Sequence, residues 1–190
     1  MLVVPYRSAP VVSPRNRDLA LATSWFAADQ LSKLAAERWL EAPLPLLPGC
    51  LRLALSHNTG AMFGMLADAS EPWRSLLLTL LPLAAIAAIG VLLLRAPAAD
   101  RRARVALALI LGGAAGNLLD RVARGYVVDF IDVYWAYEPL AGRLVRWFGT
   151  YRWPTFNLAD TGLTCGAALL LFEALRPRSA HRSDHASLPD

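Results

Sequence analysis

Apolar residues in this chain come in long blocks separated by short polar clusters. Trp73 to Leu94 is a run of 22 residues whose only charge, Arg74, sits at its outer edge. A helix needs about 20 apolar residues to cross a hydrocarbon core of about 30 Å, so this block predicts a membrane span. Pro82 inside it predicts a kink that neighbouring helices accommodate. Val105 to Ala123 and Phe156 to Leu175 are apolar apart from a few polar residues near one end, and predict two more spans. Leu19 to Leu40 predicts a fourth, although it carries Asp29, Gln30, Lys33, Glu37 and Arg38. The expected fold is an all-α membrane protein: four transmembrane helices with small extracytoplasmic β or loop elements.

Composition agrees with the blocks. The 190 residues are 56% hydrophobic and 18% charged, which leaves too little polar surface for a soluble domain. Residues 1–18 hold Arg7, Arg15 and Arg17 among three prolines and lack an apolar core of their own. They are expected to be a cytoplasmic tail rather than a cleaved signal peptide. Residues 19–175 form the membrane domain, and the polar segment 176–190 is expected to be a disordered tail. Four spans put both termini on one side. The compact loop from Arg95 to Arg104 carries four arginines, and with the arginines of the two tails it marks that side as cytoplasmic. Cys50 and Cys165 fall in an outer loop and a span, so no disulfide is expected. His57, His181 and His185 form no ligand cluster with them. No metal, cofactor or nucleic-acid partner is expected, and one chain supplies every motif, so a monomer suffices.

Depth is the next signal. Asp29 lies 12 residues past Arg17, about 18 Å along a helix. Asp120 lies 16 residues past Arg104 and Asp160 lies 16 before Arg176, each about 24 Å. Three spans running in different directions thus bring an aspartate to a similar level, toward the outer leaflet. Ionisable groups inside a membrane are costly and point to a functional site by default. The plainer reading pairs each aspartate with a neighbouring base: Asp29 with Lys33, and Asp120 with Arg121. Asp160 has no base close in sequence.

Four polar clusters surround these positions: Asn58-Thr59-Gly60, the run Gly112 to Arg121, Val127-Val128-Asp129-Phe130 after a turn at Gly125, and Phe156 to Asp160. Asn117 with Asp120, and Asn157 with Asp160, have the i, i+3 spacing of one helix face. Gly112-xxx-Gly116 and Gly162-xxx-Gly166 are read as packing surfaces that let helices approach closely. The run Gly112 to Gly116 lacks the spacing and lysine of a phosphate loop. No serine stands in a nucleophile elbow, and His57 is the only outer-side histidine. Carboxylate chemistry remains. Two aspartates within reach of each other share a proton near neutral pH. The ionised one can activate water, and the protonated one can polarise a peptide carbonyl and protonate the leaving nitrogen.

These clusters resemble, in order, the motifs of the lipoprotein signal peptidase (signal peptidase II) family: D-x-x-x-K, N-x-G, G-N-x-x-D-R, V-x-D-[FY] and F-N-x-A-D. Here they read Asp29…Lys33, Asn58-Thr59-Gly60, Gly116-Asn117…Asp120-Arg121, Val127…Asp129-Phe130 and Phe156-Asn157…Asp160, within residues 17 to 175. The resemblance implies that Asp129 and Asp160 are the catalytic pair of a membrane aspartic protease. It implies that Asp29, Lys33, Asn58, Gly60, Asn117, Asp120, Arg121 and Asn157 shape or support the site. It also implies the partner, a bacterial prolipoprotein carrying diacylglycerol on its lipobox cysteine and cut just before that cysteine, in the inner membrane.

One departure stands out. Asp129 and Asp160 are 31 residues apart, longer than the family pattern. The extra stretch, Tyr134 to Trp153, has Leu140, Leu144, Trp147 and Phe148 at helical spacing with Arg143 and Arg146 between them. It is expected to be an amphipathic segment on the outer interface, either a flap or a decorated loop. Asp132 is the local rival of Asp129. Two other function classes stay open on the residues alone: a small proton-coupled transporter using the buried aspartates, and a non-catalytic assembly factor in which they only join helices. The transporter predicts polar residues on both sides of the midplane, whereas the inner halves of the spans read as almost wholly apolar.

Overall fold

The computed structural model describes residues 13–60 and 73–176. The outer tails and the segment 61–72, with Ala61-Met62-Phe63-Gly64, lie outside the described residues. Five helices and three strands follow one another: α1 (Pro14–Trp39), β1 (Leu44–Leu47), β2 (Leu51–Asn58), α2 (Trp73–Arg95), α3 (Arg101–Arg124), β3 (Val127–Val133), α4 (Leu140–Phe148) and α5 (Leu158–Leu175). The first helix begins inside the segment expected to be a tail. Pro14 suits the first helical position, and the Ser13 hydroxyl accepts the Asn16 N–H at 3.3 Å. Among the described residues, three helices are long and apolar enough to cross a membrane: Leu76–Arg95, Arg101–Arg124 and Leu158–Leu175. The helix α1 is long enough but is not apolar enough to stand with them.

At the centre lies α3, packed against α5, α1 and α2. Its small residues allow this. A methyl group on Gly112 would strike the carbonyl of Ala22 in α1, and one on Gly113 would strike the carbonyl of Ala159 in α5. Gly166 of α5 meets Ile110 and the carbonyl of Ala106 in the same way. The packing reading of these glycines holds. We expect Gly113→Ala to cost about 1–3 kcal/mol, because neither backbone can yield without parting the helices. Gly90→Ala in α2, where nothing lies within 4 Å, should be neutral or slightly stabilising. Thermal unfolding in detergent compares the two; equal melting temperatures would refute this account of the α3–α5 contact.

At one end of the bundle, β1, β2 and β3 form an antiparallel sheet in that order. Gly125, with φ 80°, ends α3 and turns the chain directly into β3. The other edge of β3 receives the returning segment before α5: Ile131 N–H donates to Phe156 O at 2.8 Å, and Phe156 N–H returns to Ile131 O at 3.1 Å. The extra sequence between Asp129 and Asp160 therefore loops out and comes back to the strand it left.

Candidate active site

Four sequence-distant pieces meet where α5 begins: the middle of α1, the end of α3, the start of β3 and the end of β2. Lys33 of α1 is fully buried, and its ammonium has partners for all three donors. It pairs with Asp29 at 2.8 Å and Asp120 at 2.8 Å, and donates to Asn117 Oδ1 at 2.9 Å. Such a charge is tolerable in a dry interior only when so compensated. Asp29 Oδ1 also accepts the N–H of Ala159 at 2.8 Å, one of the donors that the first turn of α5 cannot satisfy internally. Gly116 supplies the space for the Asp29 carboxylate, a site role beyond packing.

The pairing of Asp29 with Lys33 is as the plainer reading expects. For Asp120 the structure differs: its partners are Lys33 and Arg124, not the adjacent Arg121. Adjacent residues on a helix point about 100° apart, whereas i, i+4 residues face each other. Arg121 instead reaches the carbonyl of Asn117 at 3.5 Å.

Asn157 is not a residue of the α5 face but its N-cap. Its side-chain oxygen accepts the Asp160 N–H at 3.0 Å, and its own N–H donates to Asp160 Oδ2 at 3.2 Å. Asparagine at this position with a carboxylate three residues on is a reciprocal cap, which the i, i+3 spacing alone could not distinguish from a shared helix face. The same Asn157 amide donates to Asp129 Oδ1 at 2.8 Å and to Asn117 Oδ1 at 3.1 Å. Asn117 in turn donates to Asp160 Oδ1 at 2.8 Å, and Asn58 of β2 donates to Asp129 Oδ2 at 3.1 Å. Asn58 itself is held by the Gly60 N–H on its Oδ1 at 3.1 Å. Asp29, Lys33, Asn58, Gly60, Asn117, Asp120, Arg121, Asp129, Asn157 and Asp160 thus lie in or beside one hydrogen-bonded cluster. Asp129 and Asp160 both contact Asn157.

Among the described residues, the aspartates divide into two kinds. Asp29 and Asp120 are ion-paired as above. Asp132, on β3, pairs with Arg52 at 2.6 Å and Arg152 at 3.6 Å. Asp129 and Asp160 have amide donors and no ion pair within 4.0 Å. Burial pushes the Asp129 carboxyl up to about 6; the Asn58 hydrogen bond opposes this, and the negative charge of Asp160 adds to it.

Sequence reasoning missed three features. Gln30 donates to Asp29, to the carbonyl of Gly116 and to Asp120, tying α1 to α3. Arg124 joins Asp120 to Glu37, which also accepts from the Tyr126 hydroxyl at 3.3 Å. At the far end of the same helices Asp18 and Arg104 form a buried ion pair. The i, i+4 spacing of Asp120 and Arg124 was the available signal for the second; the others cross between helices. Cys50 and Cys165 are both free thiols.

The family model described as signal peptidase (SPase) II matches residues 21–176. The lipoprotein signal peptidase of Solibacter usitatus (strain Ellin6076) is 37% identical over 166 residues, 86% of this chain and 93% of that protein. The lipoprotein signal peptidase of Pseudomonas aeruginosa (strain UCBPP-PA14) is 38% identical over 162 residues, 84% of this chain and 88% of its own. A solved bacterial membrane enzyme, determined by the in meso method, superposes with a TM-score of 0.71 over 90% of this chain and 94% of that one. At 24% identity that likeness shows the fold alone. Sequence over most of the chain and fold agree, and the chain belongs to the signal peptidase II family, membrane enzymes that are proteases.

Proposed function

We propose that the chain is an aspartic endopeptidase that removes signal peptides from diacylglyceryl-modified prolipoproteins, cutting before the lipidated lipobox cysteine, with Asp129 and Asp160 as its catalytic pair. One observation carries this reading: these two carboxyls share Asn157 and form no ion pair within 4.0 Å among the described residues, while the other aspartates of the cluster are neutralised by Lys33 and Arg124. Paired carboxylates are spent on holding helices together. Unpaired ones, kept by amide donors in a dry site, can exchange a proton with substrate.

Asp129 is the more buried of the pair and its carboxyl is raised to about 6, so it is the proton holder. Asp160 is partly exposed and accepts from the Asn117 amide at 2.8 Å and the Asn157 N–H at 3.2 Å, which hold it where water can reach it. Asp160 takes a proton from water as the water oxygen bonds to the peptide carbon. Asp129 hydrogen-bonds the carbonyl oxygen, and its proton reaches the leaving nitrogen as the C–N bond breaks. Asp29, Lys33, Asn117, Asp120, Arg121, Asn58, Gly60 and Asn157 are the supporting shell in this reading.

The membrane placement is part of the proposal. The charges that make α1 polar, Asp29 and Lys33, are turned inward and paired, while Leu19, Leu31 and Leu34 are exposed on its outside. Its 26 residues extend about 39 Å, so α1 serves as a fourth span. Arg15, Arg17, Arg95 and Arg101 to Arg104 collect at the bundle end away from the carboxylate cluster. That distribution supports cytoplasmic termini in the inner membrane and a site toward the outer leaflet. A single chain is sufficient.

The test is purified protein in detergent with diacylglyceryl-modified prolipoprotein, following signal-peptide release. Release from the modified substrate and none from the unmodified one is expected; no release from either by verified folded protein would overturn the reading. The pH profile adds a sign. Activity needs the Asp129 proton, so kcat/KM should fall as pH rises through an apparent pKa near 6. Asn58→Ala removes a donor that favours the carboxylate and should move this limb to higher pH.

A further inference from the structure

The helix α4 neither holds the bundle together nor touches the carboxylate cluster. It caps a short two-stranded stalk, in which Trp135 N–H donates to Tyr151 O at 2.9 Å and Trp153 N–H donates to Val133 O at 2.9 Å. The Tyr137 hydroxyl ties the base of this excursion to the carbonyl of Pro48 in the β1–β2 turn at 2.7 Å. Beyond that base, α4 has no extensive packing against any helix or strand. Leu140, Leu144, Trp147 and Phe148 share one face at helical spacing, and among the described residues no helix or strand packs extensively over it. Trp147 is 67% exposed, Phe148 is 72%, and Trp153 on the stalk is 63%. Arg143 and Arg146 flank this face and make no ion pair among the described residues.

Large aromatics left in water forfeit about 1.5–3 kcal/mol each relative to burial, so this face has an occupant. Charge decides which. A second copy of the chain would bring Arg143 and Arg146 against the same arginines, which repel. A leaflet of anionic lipid offers acyl chains to Trp147 and Phe148 and phosphates to the arginines, the arrangement of a helix lying in the membrane plane. We propose that α4 is a lipid-interface anchor, seated in an anionic leaflet on the side of the Asp129–Asp160 pair. The stalk continues β3 on one arm and leads into Asn157 on the other, so the seat of α4 fixes the height of the cleft above the bilayer. The proposal rests on the membrane placement proposed above for its side, not on the cleavage reaction.

Spin labels test it without reference to activity. In full-length protein carrying Cys50→Ser and Cys165→Ser, a nitroxide is attached through Phe148→Cys or, separately, Arg143→Cys. The protein is reconstituted in phosphatidylcholine vesicles with or without phosphatidylglycerol. With phosphatidylglycerol, the label at position 148 should collide with oxygen and lose collisions with an aqueous nickel chelate, while the label at 143 keeps them. Arg143→Gln with Arg146→Gln, or omission of phosphatidylglycerol, should shift the seated fraction toward the chelate by about thirtyfold, two charges at about 1 kcal/mol each. A label at 148 open to the chelate in every vesicle overturns the anchor. Seating indifferent to both arginines and lipid charge overturns the anionic assignment. Shielding from both oxygen and chelate overturns lipid as the occupant in favour of a protein contact.

Discussion

Asp160→Asn and Asp129→Asn, each alone, are expected to lower signal-peptide release on the order of 10⁴-fold while the protein stays folded. Asparagine at position 160 keeps a carbonyl oxygen for the Asn157 N–H, so the cap of α5 survives. At position 129 it keeps one acceptor for the amide of Asn157. What each variant loses is the capacity to hold or take a proton. Asp132→Asn provides the contrast. Arg52 and Arg152 already neutralise Asp132, so that change should be felt in stability more than in kcat. The measurements are initial rates on the diacylglyceryl-modified substrate, with thermal unfolding in detergent to verify the fold. Rates near wild type in either Asp129 or Asp160 variant would sink the assignment of the pair.

Lys33→Met is expected to be the most destabilising single change in the cluster, at about 3–5 kcal/mol. The ammonium neutralises two carboxylates in a fully buried position and orients Asn117. Without it, Asp120 retains Arg124, but Asp29 retains only neutral donors, Gln30 and the N–H of Ala159. An unpaired buried carboxylate is the costly product. Adding Asp29→Asn should therefore recover part of the loss, making the double variant more stable than the sum of the two single changes. Thermal unfolding of the four proteins in one detergent gives the cycle. Strict additivity, or a Lys33→Met protein melting with wild type, would show that the lysine is not the keystone of this pairing.

The predictable parts of this molecule were those governed by one helix at a time. The spans α2, α3 and α5 follow from apolar blocks, and Gly125 marks the turn into β3. Counting residues from the arginine-rich ends placed Asp29, Asp120 and Asp160 at one level, and in the structure Lys33 and Asn117 link all three. Contacts between elements were hidden. The pairing of Asn58 with Asp129 joins positions 71 residues apart across a sheet, and no local spacing encodes it. Asn157 looked like a face residue because capping and same-face positions both fall three residues from Asp160. Charge adjacency misled at Arg121, whose neighbour Asp120 turns to Arg124. On residues alone, nothing preferred Asp129 to Asp132 as the partner of Asp160; the family pattern made that choice. In the structure the two differ: Asp132 is paired with Arg52 and Arg152, and Asp129 has no such pair among the described residues.

The strand that carries Asp129 has no free edge. One side of β3 is laddered to β2, and the other is taken by the returning segment from Tyr151 to Phe156. Val128, beyond the reach of that segment, has its N–H on Asp120 and its carbonyl on Asn157. Many proteins read an extended peptide by letting it join a sheet as an extra strand, which needs an unpaired row of main-chain groups. Here that row is filled. In the proposed reaction a peptide arriving at Asp129 cannot be recognised by strand addition along β3, so its sequence is read weakly there and its position is set by contacts elsewhere. That favours an enzyme tolerant of varied residues around the scissile bond, with selectivity resting on whatever anchors the substrate in the membrane.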